Sequence, residues 1–256
     1  MRNFLKEKLS ISNSRKLKNL WQDLLSIPYR HNLSKLGRIY GTDKIGEHFY
    51  TTHYMLHLKK FKYKRLRLLE IGVGGYADPN AGGNSLRMWK RYFPFGRIYG
   101  LDLYDKSALQ EKRIKIFQGS QVDEELLNEV DTEIGGLDVI IDDGSHINEH
   151  VIKTFNVLFP KLKEGGVYIV EDTQTSYWED FGGDSKDLNN PSTMTNYFKA
   201  LTDSLNNQEF LIEDYQQSYF DRKIISLHFY HNLIFIYKGN NDEKSNMVID
   251  NKRPSN

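Results

Sequence analysis

The sequence predicts an α/β fold, a doubly wound and mostly parallel seven-stranded sheet with helices on both faces. Three observations predict it. From residue 66 onward short apolar strands alternate with amphipathic helices, the pattern of a sheet covered on both sides. Several strands end in glycines or acids, at Glu70-Ile71-Gly72, Asp142-Asp143-Gly144 and Glu171-Asp172, where sheets of this kind bind ligands. The stretch IISLHFYHNLIFIYKGN reads as two strands meeting at His231-Asn232, an antiparallel hairpin that closes the sheet.

Taken in order, residues 1–40 form an N-terminal helical segment. Leu5, Leu9, Leu17, Leu20, Trp21, Leu24 and Leu25 recur at helical spacing and Pro28 stops the run, which predicts a short cap. The main domain spans 41–240. RLRLLEIGV is its first strand, NSLRMWKRYF a helix ended by Pro94, and RIYGLDLY and IKIFQGS are the next strands. DEELLNEV is a helix with acids in its first turn, where the helix dipole favours them. LDVIIDDG is a buried strand, INEHVIKTFNVLF an amphipathic helix and GGVYIVEDT a further strand. FGGDSKDLNNPST (181–193) is expected to be a mobile loop before a helix over Met194–Leu205. Residues 241–256 are expected to be a polar, disordered tail.

Composition narrows the function classes. Of 256 residues, 39% are hydrophobic and 27% charged, as in an ordinary globular protein. No run approaches the roughly 18 apolar residues of a membrane span, and the N-terminus lacks the apolar core of a signal peptide. The absence of cysteine excludes disulfides and thiolate metal sites. A cytoplasmic protein without membrane insertion is expected. The net charge of +1 hides a basic N-terminal stretch carrying Arg2, Lys6, Lys8, Arg15, Lys16, Lys18 and a later KKFKYKR run. Such an arm suits nucleic acid, an anionic membrane surface or a phosphate-bearing substrate; the plainer reading is a solvated helical face, and no nucleic-acid partner is expected. A homo-oligomer is neither required nor excluded.

Gly72, Gly74 and Ala77 satisfy the bare pattern of a dinucleotide loop, but three features point away from a dehydrogenase. Glu70 precedes the first glycine. The loop continues through DPNAGGN before any helix begins, so no helix N-terminus is at hand for a pyrophosphate. Asp102 lies about 30 residues past Gly72, against about 20 in the dinucleotide pattern. A carboxylate at the end of the second strand can accept both ribose hydroxyls of an adenosine, or it can merely cap its own turn.

The densest chemistry is Asp142-Asp143-Gly144-Ser145-His146 after the fourth strand, with Glu171-Asp172-Thr173 after the fifth. Neighbouring strands lie about 4.8 Å apart, so these ends converge. Alternation sends Asp142 and Asp143 to opposite faces unless the chain has already turned. Asp143, Glu171 and Asp172 would form a hard oxygen site, best suited to Mg²⁺, with Mn²⁺ as a substitute. Exposed acids at strand ends are the plainer alternative. His146, in the turn that follows, reads either as a cap or as a general base.

LEIGVGG, LDLYDK, FQGSQ, DDGSH and EDT together resemble the class I methyltransferases, which are Rossmann-like. From GTDKIGEHFYTTHY (41–54) through YWEDFGG (177–183) the chain is similar to the metal-dependent sugar O-methyltransferases of macrolide and aromatic-polyketide biosynthesis. The resemblance implies that Glu70, Gly72, Gly74, Ser85, Asp102, Gly119, Ser120 and Gln121 surround S-adenosyl-L-methionine. Asp142 would lie near the amino-acid end of the cofactor, and Thr42 in a lid over it. It further implies a metal on Asp143, Glu171 and Asp172, with His146 as the base. The implied reaction is methyl transfer to a sugar hydroxyl of a nucleotide sugar, a polysaccharide precursor or a glycosylated natural product. Transfer to a catechol-like diol is the alternative. Tyr177, Trp178 and Phe181 could stack on such an acceptor or simply pack their loop.

Overall fold

The computed structural model describes residues 15–249 and 251–253. Leu5 and Leu9 of the expected N-terminal helix lie outside them. The seven strands are β1 (Arg67–Ile71), β2 (Arg97–Asp102), β3 (Ile114–Gln118), β4 (Leu137–Asp142), β5 (Leu162–Glu171), β6 (Ile224–Tyr230) and β7 (Leu233–Lys238). They form one sheet in the order β3-β2-β1-β4-β5-β7-β6. Strands β1 to β5 run parallel, whereas β7 pairs antiparallel with both β5 and β6. The hairpin turn falls at His231-Asn232, with Asn232 in the left-handed region at φ +59°. The doubly wound sheet and its antiparallel closure are as the sequence predicts. Strand order reverses between β1 and β4, which puts the ligand crevice at the carboxyl ends of those two strands.

Alternation along the strands builds two cores. Leu68, Val139, Ile141, Ile169 and Phe235 face α2 (Leu33–Tyr40), α3 (Tyr50–Leu58) and α4 (Asn84–Tyr92). Leu69, Ile71, Ile140, Tyr168 and Val170 face α5 (Glu124–Ile134), α6 (Asn148–Leu158) and α7 (Met194–Leu205). Burying each such side chain contributes about 1.5–3 kcal/mol, so the two faces specify the strand register together.

Local signals set the helix ends. Asp123 caps α5 by accepting from Leu126 N at 3.1 Å, and Gly135 ends it at φ +77°. Asn32 caps α2 through Lys35 N, and Gly41 ends it at φ +74°. The segment expected to act as a lid is divided: 41–49 is a turn, and α3 is a packed helix whose Tyr54 is fully buried. The 181–193 segment is organised around Asp184, which accepts from Lys186 N, Asp187 N and Asn190 Nδ2. In the tail, Asn251 Nδ2 donates to the Phe210 carbonyl at 2.9 Å. A short helix, α8 (Tyr219–Lys223), precedes the hairpin and starts on a capping box of Ser218 and Asp221.

Candidate active site

The glycine loop is fastened to both neighbouring strands. Gly72 N donates to the Leu101 carbonyl at 2.8 Å, and Asp143 N to the Ile71 carbonyl at 3.0 Å. Gly72 has φ +86°, and a Cβ there would lie 2.0 Å from the Asp143 carbonyl oxygen, so the position admits glycine alone. Gly74 also has positive φ, +76°, but a Cβ there would meet nothing closer than Gly82 Cα at 3.9 Å. The loop therefore presents bare backbone to the space above it. Helix α4 begins only at Asn84, after the long loop that the sequence indicates.

Asp102 does two jobs. Its Oδ2 accepts from Val73 N at 2.8 Å and its Oδ1 from Tyr104 N at 2.9 Å, so it both pins the glycine loop and caps its own turn. A carboxylate has about four acceptor positions, so capacity remains for ribose hydroxyls. Gly119 N donates to the Asp102 carbonyl, bringing the 119–121 turn alongside. Ser120 is half-buried there. Gln121 is buried and fully committed: Nε2 donates to Asp142 Oδ1 and Thr154 Oγ1, while Oε1 accepts from Ser145 N at 2.7 Å. It shapes the 142–146 turn from beneath.

Asp142 and Asp143 do point to opposite faces. Asp142 is buried, accepting from Gln121 and, at 2.9 Å, from the Tyr168 hydroxyl. Burial pushes its carboxyl up to about 6, against the opposing bonds from Tyr168 and Gln121. For an acid whose folded pKa is raised, the stabilisation is present below the ordinary value of 3.8 and is lost as pH rises through about 6. Denaturation free energies of the wild type and Asp142→Asn should therefore diverge between about pH 4 and 7, the wild type losing up to about 3 kcal/mol relative to the variant. Parallel curves would refute this.

On the other face, three acids surround a lysine that sequence reasoning missed. Lys44 Nζ lies 2.7 Å from Asp143 Oδ2, 2.7 Å from Glu171 Oε1 and 3.3 Å from Glu70 Oε1. Burial opposes the Lys44 charge, but Asp143, Glu171 and Glu70 outweigh it and hold its pKa well above the lysine norm. Glu70 lies beneath the loop, fully buried, with Oε2 accepting from Trp89 Nε1 at 2.6 Å and Ser85 beside it. Glu171 is buried and also accepts from the Tyr54 hydroxyl through Oε1. Burial and the Asp143 charge raise the Glu171 pKa well above the ordinary carboxylate range. Replacing Lys44 by methionine would leave these acids uncompensated in the core. The expected loss is about 3–5 kcal/mol in urea denaturation at neutral pH; a loss below about 1 kcal/mol would contradict the role of internal counter-ion.

The remaining acid, Asp172, faces the open side. Both it and His146 adopt left-handed backbone, at φ +56° each, a conformation uncommon for residues other than glycine. Thr175 Oγ1 holds the His146 carbonyl at 2.8 Å. Asp172 Oδ1 accepts from the Tyr50 hydroxyl at 2.7 Å, with His48 Nε2 at 3.6 Å and His146 Nε2 3.7 Å from Oδ2. Burial, then the Asp172 contact, raises the Tyr50 pKa, so Tyr50 stays a proton donor. Thr42 Oγ1 donates to Asp43 and accepts from Lys44 N, ordering the turn that delivers Lys44. Tyr177 and Trp178 are exposed nearby, and Trp178 packs against Phe181 at 5.9 Å between ring centres.

Asp143, His146 and Asp172 each offer one ligand atom, all within 4.8 Å of one another. Of the three expected ligands, the fold thus gathers Asp143 and Asp172 with His146, while Lys44 and Tyr54 both hold Glu171 by Oε1. Glu70, Asp143 and Glu171 share one buried ammonium while Asp172 stands on the open side, so a divalent cation fits the uncompensated charge and the oxygen-rich donor set. Lys44, His48, Tyr50 and Tyr54 went unrecognised as site residues. Tyr50 and Tyr54 carried a signal in their i, i+4 spacing on one helix, whereas Lys44 and His48 lie in a turn and carried none.

No family model matches the chain. Mycinamicin VI 2''-O-methyltransferase of Micromonospora griseorubida is 47% identical over 215 residues, covering 83% of this chain and 54% of that protein. Demethylmacrocin O-methyltransferase of Streptomyces fradiae is 48% identical over 215 residues, again 83% of this chain and 54% of that protein. The solved structure of MycE methyltransferase from the mycinamycin biosynthetic pathway, in complex with Mg, SAH and mycinamycin VI, matches with a TM-score of 0.80. It is 46% identical and is matched over 83% of this chain and 55% of that one. The chain spans about half the length of the curated relatives it matches. By its strand order, its glycine loop at the switch point and this identity over most of its length, the chain belongs to the class I methyltransferases and, within them, resembles the metal-dependent macrolide sugar O-methyltransferases.

Proposed function

We propose that this protein is an S-adenosylmethionine-dependent, divalent-metal-assisted O-methyltransferase acting on a sugar hydroxyl. The observation that carries the reading is the gathering of Asp143, His146 and Asp172 beside the glycine loop at the β1/β4 switch point. The relatives' names specify glycosylated natural products, so a sugar on a small molecule is favoured over a polysaccharide precursor or a nucleotide sugar. Catechol methylation becomes the weaker alternative. A cytoplasmic location is part of the proposal; among the described residues no helix is long and apolar enough to cross a membrane.

In this reading Gly72, Gly74, Ser85, Gly119 and Ser120 would border the cofactor, Asp102 would accept from its ribose hydroxyls, and Thr42 would belong to the segment above it. Glu70, Gln121 and Asp142 support that surface from below. Bound S-adenosyl-L-methionine supplies an electrophilic methyl, and Mg²⁺ or Mn²⁺ supplies Lewis-acid polarisation of a sugar oxygen. Asp143 and Asp172 would hold the ion, with Glu171 through the oxygen that Lys44 and Tyr54 leave aside. Tyr50 orients Asp172 by its hydrogen bond, and Lys44 fixes Asp143. His146 takes the proton from the acceptor hydroxyl, with Asp172 steadying the imidazolium so formed.

The test is methyl transfer to a panel of free sugars, nucleotide sugars, sugar-bearing macrolides and catechols, with and without chelator. Chelator-sensitive methylation of a sugar hydroxyl is expected. Methylation of catechols alone would overturn the substrate class, and binding of NAD without binding of S-adenosylhomocysteine would overturn the reaction class.

A further inference from the structure

The helix over residues 15–25, here α1, is docked by its polar side. Arg87 Nη1 donates to Asn19 Oδ1 and Gln22 Oε1, both at 2.7 Å, and Nη2 to Asp23 Oδ1 at 2.9 Å. Gln22 Nε2 donates to the Ile39 carbonyl at 2.8 Å, and Arg91 Nε to Ser26 Oγ at 2.6 Å. Residues 19, 22, 23 and 26 lie on one helical stripe, which the domain holds through these bonds.

The apolar stripe is therefore turned outward. Leu17, Leu20, Trp21, Leu24 and Leu25 are each 50–58% exposed, and Ile27 and Tyr29 continue the ridge past the helix end. Scattered surface leucines need no explanation, but a contiguous ridge of this kind marks an interaction surface. Its rim is basic. Lys16 and Lys18 are exposed on the helix, and Arg30 is exposed where the ridge ends. Lys62 Nζ donates to the Arg30 carbonyl and Tyr63 lies 3.4 Å from His31, so the turn that leads into the exposed Lys64 and Arg65 abuts this end of the ridge. Between residues 15 and 31 the sole acid is Asp23, and it faces Arg87 and Tyr40.

We propose that this ridge docks the protein peripherally on an anionic lipid bilayer. The apolar stripe would enter the headgroup–acyl boundary, with Trp21 at its centre and the basic rim against lipid phosphates. Charge complementarity selects this occupant. A second copy seated on the same ridge would set two basic rims against each other, whereas anionic lipid neutralises them. The indole of Trp21 has the apolar body and polar edge that suit a membrane interface. The inference is independent of the methyl-transfer reading, since it concerns binding alone.

The experiment is co-sedimentation of the full chain with phosphatidylcholine vesicles, with and without about one third phosphatidylglycerol, followed in parallel by light scattering. Anionic vesicles should bind at least about tenfold more tightly than neutral ones, and high salt should erase the difference. Leu20→Ser with Leu24→Ser should weaken binding at least about tenfold without lowering the melting temperature, because both side chains are exposed. Lys16→Glu with Lys18→Glu should weaken binding to the anionic vesicles alone. A blue shift of tryptophan emission on vesicles should vanish in Trp21→Phe. Failure to sediment with either vesicle would overturn the proposal, as would undiminished binding by the double-serine variant. A dimer that the double-serine variant dissociates, with no vesicle binding, would make the ridge a protein–protein interface instead.

Discussion

Asp143→Asn is expected to lower metal-stimulated turnover by about 10³-fold while changing S-adenosylhomocysteine affinity by less than about threefold. The magnitude follows from the several kcal/mol that Lewis-acid stabilisation contributes, at about 1.36 kcal/mol per decade of rate. The selectivity follows from placement. Asp143 sits on the sheet face with Lys44 and Glu171, whereas Asp102 pins the glycine loop, which borders the proposed cofactor crevice. Asparagine preserves the shape of the side chain and leaves Lys44 its contacts with Glu171 and Glu70, so the core should survive. Calorimetric titration with Mg²⁺ supplies the second readout, and binding there should weaken at least about tenfold. Wild-type activity that persists unchanged in chelator would sink the metal proposal, whatever the variant does.

How much of this site the sequence discloses depends on how local each interaction is. The strands, the glycine loop and the two acidic ends are readable because each is encoded within a few residues: apolar alternation, Gly72 and Gly74, Asp142-Asp143, Glu171-Asp172. The opposite facing of Asp142 and Asp143 follows from strand alternation and is met in the Tyr168 and Lys44 contacts. Lys44 was not readable. It reaches Asp143 across 99 residues of sequence, and Tyr54 reaches Glu171 across 117. Three carboxylates gathered in a core demand positive charge. The acids alone imply that a metal supplies all of it, whereas Lys44 contributes part. Helix α3 escaped notice for a different reason: YTTHYMLHL mixes β-branched and aromatic residues with little apolar period, and Tyr50, Tyr54 and His57 are buried for their hydrogen bonds as much as for their rings. The α1 stripe is legible as helical in its described part, but the direction it faces is not. Arg87 and Arg91, more than 60 residues away, hold its polar side and turn the apolar stripe outward.

His146→Gly should lower turnover by about 10²–10⁴-fold, the usual effect of losing a general base. Glycine is the right replacement because position 146 has φ +56°, where alanine would add backbone strain to the loss of the imidazole. Two roles compete for this side chain. One of its ring nitrogens lies within 4.8 Å of ligand atoms of Asp143 and Asp172, which suits a metal ligand, and its Nε2 is 3.7 Å from Asp172 Oδ2, which suits a base whose cation is steadied by a carboxylate. The two roles separate in measurement. A base leaves Mg²⁺ affinity within about threefold of wild type and permits rescue of turnover by added imidazole, which can occupy the space and accept the proton. A ligand weakens Mg²⁺ binding at least about tenfold, and kcat then falls because the ion is lost. The base is favoured because Asp143 and Asp172 already offer oxygen donors, with Glu171 beside them, and Mg²⁺ takes oxygen over nitrogen. A loss of turnover below about tenfold, with metal binding intact, would reduce His146 to a residue that shapes the turn, and proton removal would then fall to another group at the site, His48 being the nearest imidazole on the far side of Asp172.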